Sequence, residues 1–235
     1  MKLRKCRGRS NRQMLVSALT GVFIVMAGIV GFTYPVYAEQ KVYTNEYSDL
    51  IATVEDGGEN DVYFANVQTP GTSDSDTTIM FVNTEKEVTI SMKEGKSVTT
   101  DCIYVVNPSQ TNGVRHIILD NVSIDRSSEE LFFQWVDLVN GLSDEKRAML
   151  SAIYFPGTTM TNEYGGTIYS GKLRITLKGN NVLKGAKSSN ADQSYQELYT
   201  PSKDDNHSAI WAMNLGIDGT GSLEAYGTDY GIYSR

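Results

Sequence analysis

Three aromatic side chains, Tyr169, Trp211 and Tyr233, are the first candidates for chemistry, because each follows an isoleucine in the same short context. The units are Gly166-Thr167-Ile168-Tyr169, Ser208-Ala209-Ile210-Trp211 and Tyr230-Gly231-Ile232-Tyr233, and Ser151-Ala152-Ile153-Tyr154 is a fourth of the same kind. Rings set in line and exposed would stack on the apolar face of a pyranose, and their O–H and N–H groups would reach hydroxyls at the ring edge. The alternative is that inserted loops cover the rings as a satellite core. That alternative is favoured, because long insertions lie on the body of a domain.

A second set could support elimination chemistry. A polysaccharide lyase needs a base of Arg or Lys type to take the proton α to a uronate carboxylate, and calcium held by carboxylates to stabilise the enolate. Arg174 and Lys178 point the same way from one strand pattern, and Lys178 is expected to stack near Asp218. A lone Lys–Asp neighbour pair is a surface ion pair worth little. No Asp cluster flanks either base, so no catalytic residue is assigned and the lyase is the runner-up. Asp120, Asn121 and Asp125 surround one turn and are weak candidates for calcium, as are Asp204 and Asp205 on a polar loop. None has the twelve-residue helix–loop–helix spacing, and solvated turn carboxylates are the simpler account. His116 and His207 are the only histidines, and neither has local partners for a zinc site or a triad. Cys102 precedes the β-rich run Ile103-Tyr104-Val105-Val106 and reads as a small buried hydrophobe rather than a catalytic thiol.

The elements that must position these groups are strands. Leu177-Lys178-Gly179-Asn180-Asn181-Val182-Leu183 matches Ile217-Asp218-Gly219-Thr220-Gly221-Ser222-Leu223 forty residues later. A recurring strand–turn–strand unit implies stacking, each rung burying its apolar face against the next. Ile210 and Ile232 lie 22 residues apart, the length of one coil, and Ile168 and Ile210 lie 42 apart, one coil plus a polar insertion. The Ile ladder should face inward and the following aromatic outward. Thr78–Val82, Val88–Met92, Ile103–Val106 and His116–Asp125 read as further strands, Gln68–Thr78 as a loop, and Glu39–Glu59 as an entry arm or edge strand. Leu131, Trp135, Leu138 and Leu142 have the spacing of a helix face, and Ser143 can cap a short helix through Asp144, Glu145 and Lys146. The predicted organisation is a leader over 1–38, an N-terminal arm and capping region over 39–78, and rungs over 79–235 with insertions at 127–150 and 186–207, the second a solvated loop. A strand due seven to nine residues after Ile232 is missing. The expectation is that the array is truncated at Arg235 or covered there by another molecule.

The leader reads as a signal peptide. Lys2, Arg4, Lys5, Arg7, Arg9 and Arg12 form a basic region, Met14–Phe32 is an apolar run, and Val36-Tyr37-Ala38 offers cleavage before Glu39. An uncleaved membrane anchor is the alternative, since the uncharged stretch could span a bilayer. The leader holds six of the 21 basic residues and none of the 28 acidic ones, so the remainder carries 15 against 28, a net of −13 rather than −7. An acidic, exported chain is a poor nucleic-acid partner. Loss of Cys6 with the leader leaves Cys102 alone and no internal disulfide.

Taken together, Ser208-Ala209-Ile210-Trp211, Ile217-Asp218-Gly219-Thr220-Gly221-Ser222-Leu223, Ala225-Tyr226-Gly227 and Gly231-Ile232-Tyr233 resemble the carbohydrate-binding β-helix domain of exported clostridial surface proteins, similar in shape to the pectate lyases. The resemblance covers Val88 to Arg235, with firm matching from Leu173 onward. It implies an all-β, right-handed parallel β-helix (a solenoid), a polysaccharide ligand and structural calcium as an optional cofactor. The expected function is an exported cell-surface or secreted adhesin-like module that binds a cell-wall glycan without catalysis, through Tyr169, Trp211 and Tyr233. A calcium-dependent polysaccharide lyase and a purely structural stalk are the alternatives.

Overall fold

The computed structural model describes residues 38–70, 76–108, 113–133, 142–161, 164–190 and 208–234. The chain is all-β in class. A first sheet has the order β1 (Gln40–Tyr43), β2 (Leu50–Glu55), β5 (Glu87–Met92), β7 (Val114–Asp120), β13 (Lys172–Lys178) and β17 (Leu215–Gly219). A second has the order β19 (Tyr230–Ser234), β16 (Ser208–Ala212), β10 (Ile153–Phe155), β6 (Cys102–Val105), β4 (Asp76–Val82) and β3 (Val62–Gln68). A third contains β18 (Ser222–Tyr226), β14 (Asn180–Lys184) and β8 (Ser123–Asp125). Two small pairs complete the list: β9 (Glu130–Phe133) with β15 (Lys187–Asn190), and β11 (Thr158–Thr161) with β12 (Thr167–Ser170).

From β6 onward the chain visits the second, first and third sheets in that order: β6, β7, β8, then β10, β13, β14, then β16, β17, β18. Successive visits pair in parallel in all three sheets. The sheets are nevertheless mixed, which departs from an all-parallel expectation. β1–β2, β2–β5 and β3–β4 are antiparallel, as is the hairpin β11–β12. Short connections permit the antiparallel pairs β1–β2, β3–β4 and β11–β12, whereas β2 and β5 are joined through β3 and β4. β1, β2 and β3 thus cover one edge of the first and second sheets.

Alternation builds the interior. Val54, Val88, Ile117 and Ile175 lie in register across the first sheet, and Met80, Ile103, Ile153 and Ile210 across the second; all are fully buried. The columns reach β17 and β19, where Ile217 and Ile232 are 37% and 40% exposed. Ile210 pairs with Ile232, as the 22-residue spacing predicts. Two register expectations are corrected. Ile153, not Ile168, stands opposite Ile210. Ile168 belongs to β12 and pairs with Met160, because Gly157 (φ 66°) and Gly171 (φ 87°) let the chain leave the second sheet after β10 and reach β13 of the first around a local hairpin. The matched segments also sit two residues out of step: Ile175 faces Ile217 and Leu177 faces Gly219. A slip of two preserves which face each side chain takes, so the inward and outward assignments hold although the partners change.

The corners between the first and third sheets explain the Gly and Asn signals. Asn121 and Gly179 are both left-handed, at φ 55° and 63°. Asn181 is buried behind them. Its Oδ1 accepts from Val122 N at 2.9 Å, and its Nδ2 donates to Lys178 O at 3.0 Å and Ser222 O at 3.2 Å. One amide thus satisfies backbone groups of three successive turns.

The helical excursion differs from its prediction. Leu131 lies on β9, which pairs in parallel with β15, so part of the supposed loop after Ala186 is strand. Register with β9 outweighs the weak strand preference of Ser188, Ser189 and Asn190. Trp135 and Leu138 lie outside the described residues. Leu142 is buried, and a short helix, Asp144–Leu150, starts where predicted, with Ser143 Oγ accepting from Lys146 N at 3.3 Å. Among the described residues no helix is long and apolar enough to cross a membrane. The leader and Asp204, Asp205 and His207 fall outside the described residues.

Candidate functional site

The aromatic candidates do not form one strip. Tyr169 lies on β12, opposite Thr159, away from the ladder of the second sheet. Tyr154 takes its expected place, in register with Tyr104 and Trp211. The rings form a continuous ladder, Tyr63, Phe81, Tyr104, Tyr154, Trp211 and Tyr233, with successive centroids 4.7, 5.2, 5.5, 5.0 and 5.8 Å apart. Its middle is covered. Tyr154 and Trp211 are only 3% and 7% exposed. Asp144, at the start of the helix, accepts from Tyr104 Oη at 3.0 Å and from Tyr154 Oη at 3.1 Å. Burial, and then the Asp144 charge, push both phenols well above the ordinary tyrosine range. The ladder's centre is therefore packed core. Trp211 Nε1 is buried with no partner among the described residues. Tyr233 is half-buried, and Tyr230, its neighbour at 5.9 Å, is 51% exposed.

The outer face of the first sheet is largely polar. Its inward residues are mostly aliphatic, with Tyr43 and Arg115 also buried there, and its outward positions carry Thr53, Thr89, Glu87, His116, Arg174, Thr176 and Asp218 around the buried Ile118. A groove of about 480 Å³ opens there, lined by Gln40, Thr53, Glu55, Asp56, Lys86, Glu87, Thr89 and Lys178. Lys86 is committed to Asp61 and to the backbone of Asp56. The side chains of Gln40, Thr53, Glu55, Thr89 and Lys178 have no hydrogen-bond or ion-pair partner among the described residues. Asp56 is left-handed at φ 50°, a conformation aspartate tolerates at a turn.

Beside the groove, four strands contribute to one chain of polar contacts. Glu87 Oε2 lies 3.0 Å from His116 Nδ1, His116 Nε2 lies 2.9 Å from Thr176 Oγ1, and Thr176 Oγ1 donates to Asp218 Oδ1 at 2.7 Å. Arg174 donates Nε and Nη2 to Asp218 Oδ2 at 2.8 and 2.7 Å. Sequence reasoning found no local partners for His116, and in this sense it missed the site. The partners stand on β5 and β13, where cross-strand neighbours are set by register. The only signal in the sequence was the outward parity of Glu87, His116 and Thr176. Carboxylate, imidazole and hydroxyl are ordered as in a nucleophilic triad. The hydroxyl proton, however, is drawn toward Asp218 rather than the imidazole.

The elimination candidates are also re-sorted. Asp218 stands opposite Thr176 and binds Arg174, whereas Lys178 stands opposite Asp120, so the expected Lys178–Asp218 neighbours are separated. Of the calcium candidates, Asn121 Oδ1 accepts from Asn180 N at 3.1 Å and its Nδ2 donates to Asp120 Oδ1 at 2.7 Å. Asp125 binds Lys184 at 2.7 Å and Ser127 Oγ at 2.6 Å. These oxygens serve corners and ion pairs. Among the described residues no group of three or more His, Cys, Asp or Glu is arranged to hold a metal. Cys102 is fully buried, and desolvation pushes its thiol up to about 12.

Compared with known protein families, curated proteins and solved structures, the chain matches none of them.

Proposed function

We propose that this chain is an exported, non-catalytic polysaccharide-binding module built as a right-handed parallel β-helix. The repeated order of visits to three sheets and the parallel registers support the solenoid. The observation that carries the binding reading is the groove on the first sheet. A rigid sheet presents uncommitted donors and acceptors there: the Gln40 amide, the Thr53 and Thr89 hydroxyls, the Glu55 carboxylate and the Lys178 ammonium. Sugar hydroxyls both donate and accept, so a mixed set on a rigid frame suits them. The half-exposed Tyr230 and Tyr233 offer stacking surface at the free end of the ladder. A glycan array on the full chain, followed by titration of the best ligand, tests the reading. K178A combined with T89V should weaken binding at least tenfold. Unchanged affinity in that variant would remove the groove as the site.

One observation favours a lyase as the second reading. Lys178, with no side-chain partner among the described residues, lies in a groove that also holds Glu55, Asp56 and Glu87. In that reaction Lys178, as the neutral amine, takes the proton α to a uronate carboxylate, the C–H electron pair forms a carbon–carbon double bond, and the glycosidic oxygen leaves with its bonding pair and takes a proton from water. Release of unsaturated uronate ends from polygalacturonate with calcium would establish it. Binding without such products supports the module, and neither result supports a stalk.

A further inference from the structure

The contacts between Glu87, His116, Thr176 and Asp218 constrain the proton count. Threonine has a single hydroxyl hydrogen, and a carboxylate only accepts. If Thr176 donates to Asp218 at 2.7 Å, then the 2.9 Å contact with His116 Nε2 requires that the ring nitrogen donate. The other ring nitrogen lies 3.0 Å from Glu87 Oε2, a distance that makes an ion pair when that nitrogen also carries hydrogen. If the ring has one proton and gives it to Glu87, Thr176 must donate to Nε2. Two oxygen lone pairs are then left face to face across 2.7 Å. A neutral ring with its hydrogen on Nε2 keeps both threonine contacts but sets a bare Nδ1 against the Glu87 carboxylate; with Glu87 ionised, the imidazolium turns that approach into an attraction.

We infer that His116 is the proton-carrying centre of a pH-operated latch that joins β5, β7, β13 and β17 on the outer face of the first sheet. The charges around it balance in this state. Glu87 stands opposite His116 on β5, Arg174 stands opposite it on β13, and Asp218 reaches it through Thr176 from β17. Further along the same face, Asp120 on β7 is opposite Lys178, and Lys172 occupies the other end of β13. Two cations and two anions alternate along the chain Glu87, His116, Asp218, Arg174. Loss of the ring proton leaves that chain with a net negative charge and one contact short of a hydrogen. Asp218 is held below the usual carboxylate range first by the Thr176 hydroxyl, then by Arg174, with the nearby His116 as a smaller contributor.

The latch also touches the groove, because Glu87 belongs to both. A protonated His116 holds the Glu87 carboxylate against the sheet, and a neutral one frees it toward the groove. This last link, which rests on the polysaccharide-binding reading, makes ligand affinity pH-dependent through Glu87. The latch itself does not rest on that reading.

Ring-nitrogen NMR on the full chain, with histidine labelled in ¹⁵N, separates the two. The chain has only two histidines, and a His207→Gln variant assigns them. The expected result is a doubly protonated His116 in the acidic range, with Glu87, Thr176 and Asp218 signals changing in step with its titration. Thr176→Val should uncouple Asp218 from His116, and Thr176→Ser should restore the coupling. A His116 ring carrying one proton throughout pH 5–8, or an Asp218 signal that ignores His116 in the wild-type chain, overturns the latch. If the NMR result holds and ligand affinity shows the same pH dependence in wild type and Glu87→Gln, the link to the groove fails while the latch stands. Absence of any glycan ligand would count against the binding reading alone.

Discussion

Arg126 offers the sharpest test of how these sheets are held together. Its side chain is fully buried, just after β8 at the point where the chain leaves the third sheet. Nε donates to Met149 O at 3.1 Å, Nη1 donates to Thr100 O, and Nη2 lies 2.5 Å from Glu129 Oε2. One guanidinium therefore ties the segment after β8 to the end of the short helix and to the residue before Asp101. Burial raises the Glu129 carboxyl above its usual range, and Arg126 opposes that shift. Removal of Arg126 strands two carbonyls and leaves the partly buried Glu129 carboxylate with the Thr100 hydroxyl as its remaining partner. Each orphaned acceptor costs about 1–3 kcal/mol, and breaking a buried pair on one side costs about 3–5 kcal/mol in total. For a domain of this size that is a fall of roughly 10 °C in Tm. The assay is urea unfolding of Arg126→Ala, Glu129→Ala and the double variant. The double variant should lose less than the sum of the two, with a coupling of about 1–3 kcal/mol. A loss below about 1 kcal/mol in Arg126→Ala, or strict additivity, would refute the idea that this pair braces the junction after β8.

Other consequences follow from single positions. Gly179→Ala should cost about 2–3 kcal/mol by thermal melting, because the residue is left-handed and a Cβ would come 2.1 Å from Asn121 Oδ1, displacing a hydrogen bond; a neutral effect would mean the corner relaxes freely. The Lys184 ammonium, helped by Ser127, holds Asp125 at about 2, below its ordinary 3.8, so this carboxylate stabilises the fold above about pH 4 and loses that contribution as pH falls toward 2. Lys184→Met should return the Asp125 titration, followed by carboxyl NMR, toward its ordinary value. Cys102 should resist alkylation at pH 8 until the chain unfolds, since it is fully buried and its thiol is pushed up to about 12. Rapid labelling of the native chain would contradict that burial.

The sequence alone determined local geometry. The alternation in Leu173–Lys178 set which side chains face inward, because strand parity is a property of the backbone and survives a slip of two residues. Gly179 announced its corner, and Ser143 its helix, because both signals act within a few residues. Tertiary structure alone decided partnership. Ile153 rather than Ile168 meets Ile210, Asp218 takes Arg174 rather than Lys178, and His116 finds Glu87 and Thr176 on strands 29 and 60 residues away. Those pairings depend on how much chain each excursion consumes before the next strand of the sheet begins. Excursion length in turn depends on hairpins and covering segments that a local pattern does not encode. The same dependence decided that Tyr154 and Trp211 would be covered while a groove stayed open on the outer face of the first sheet.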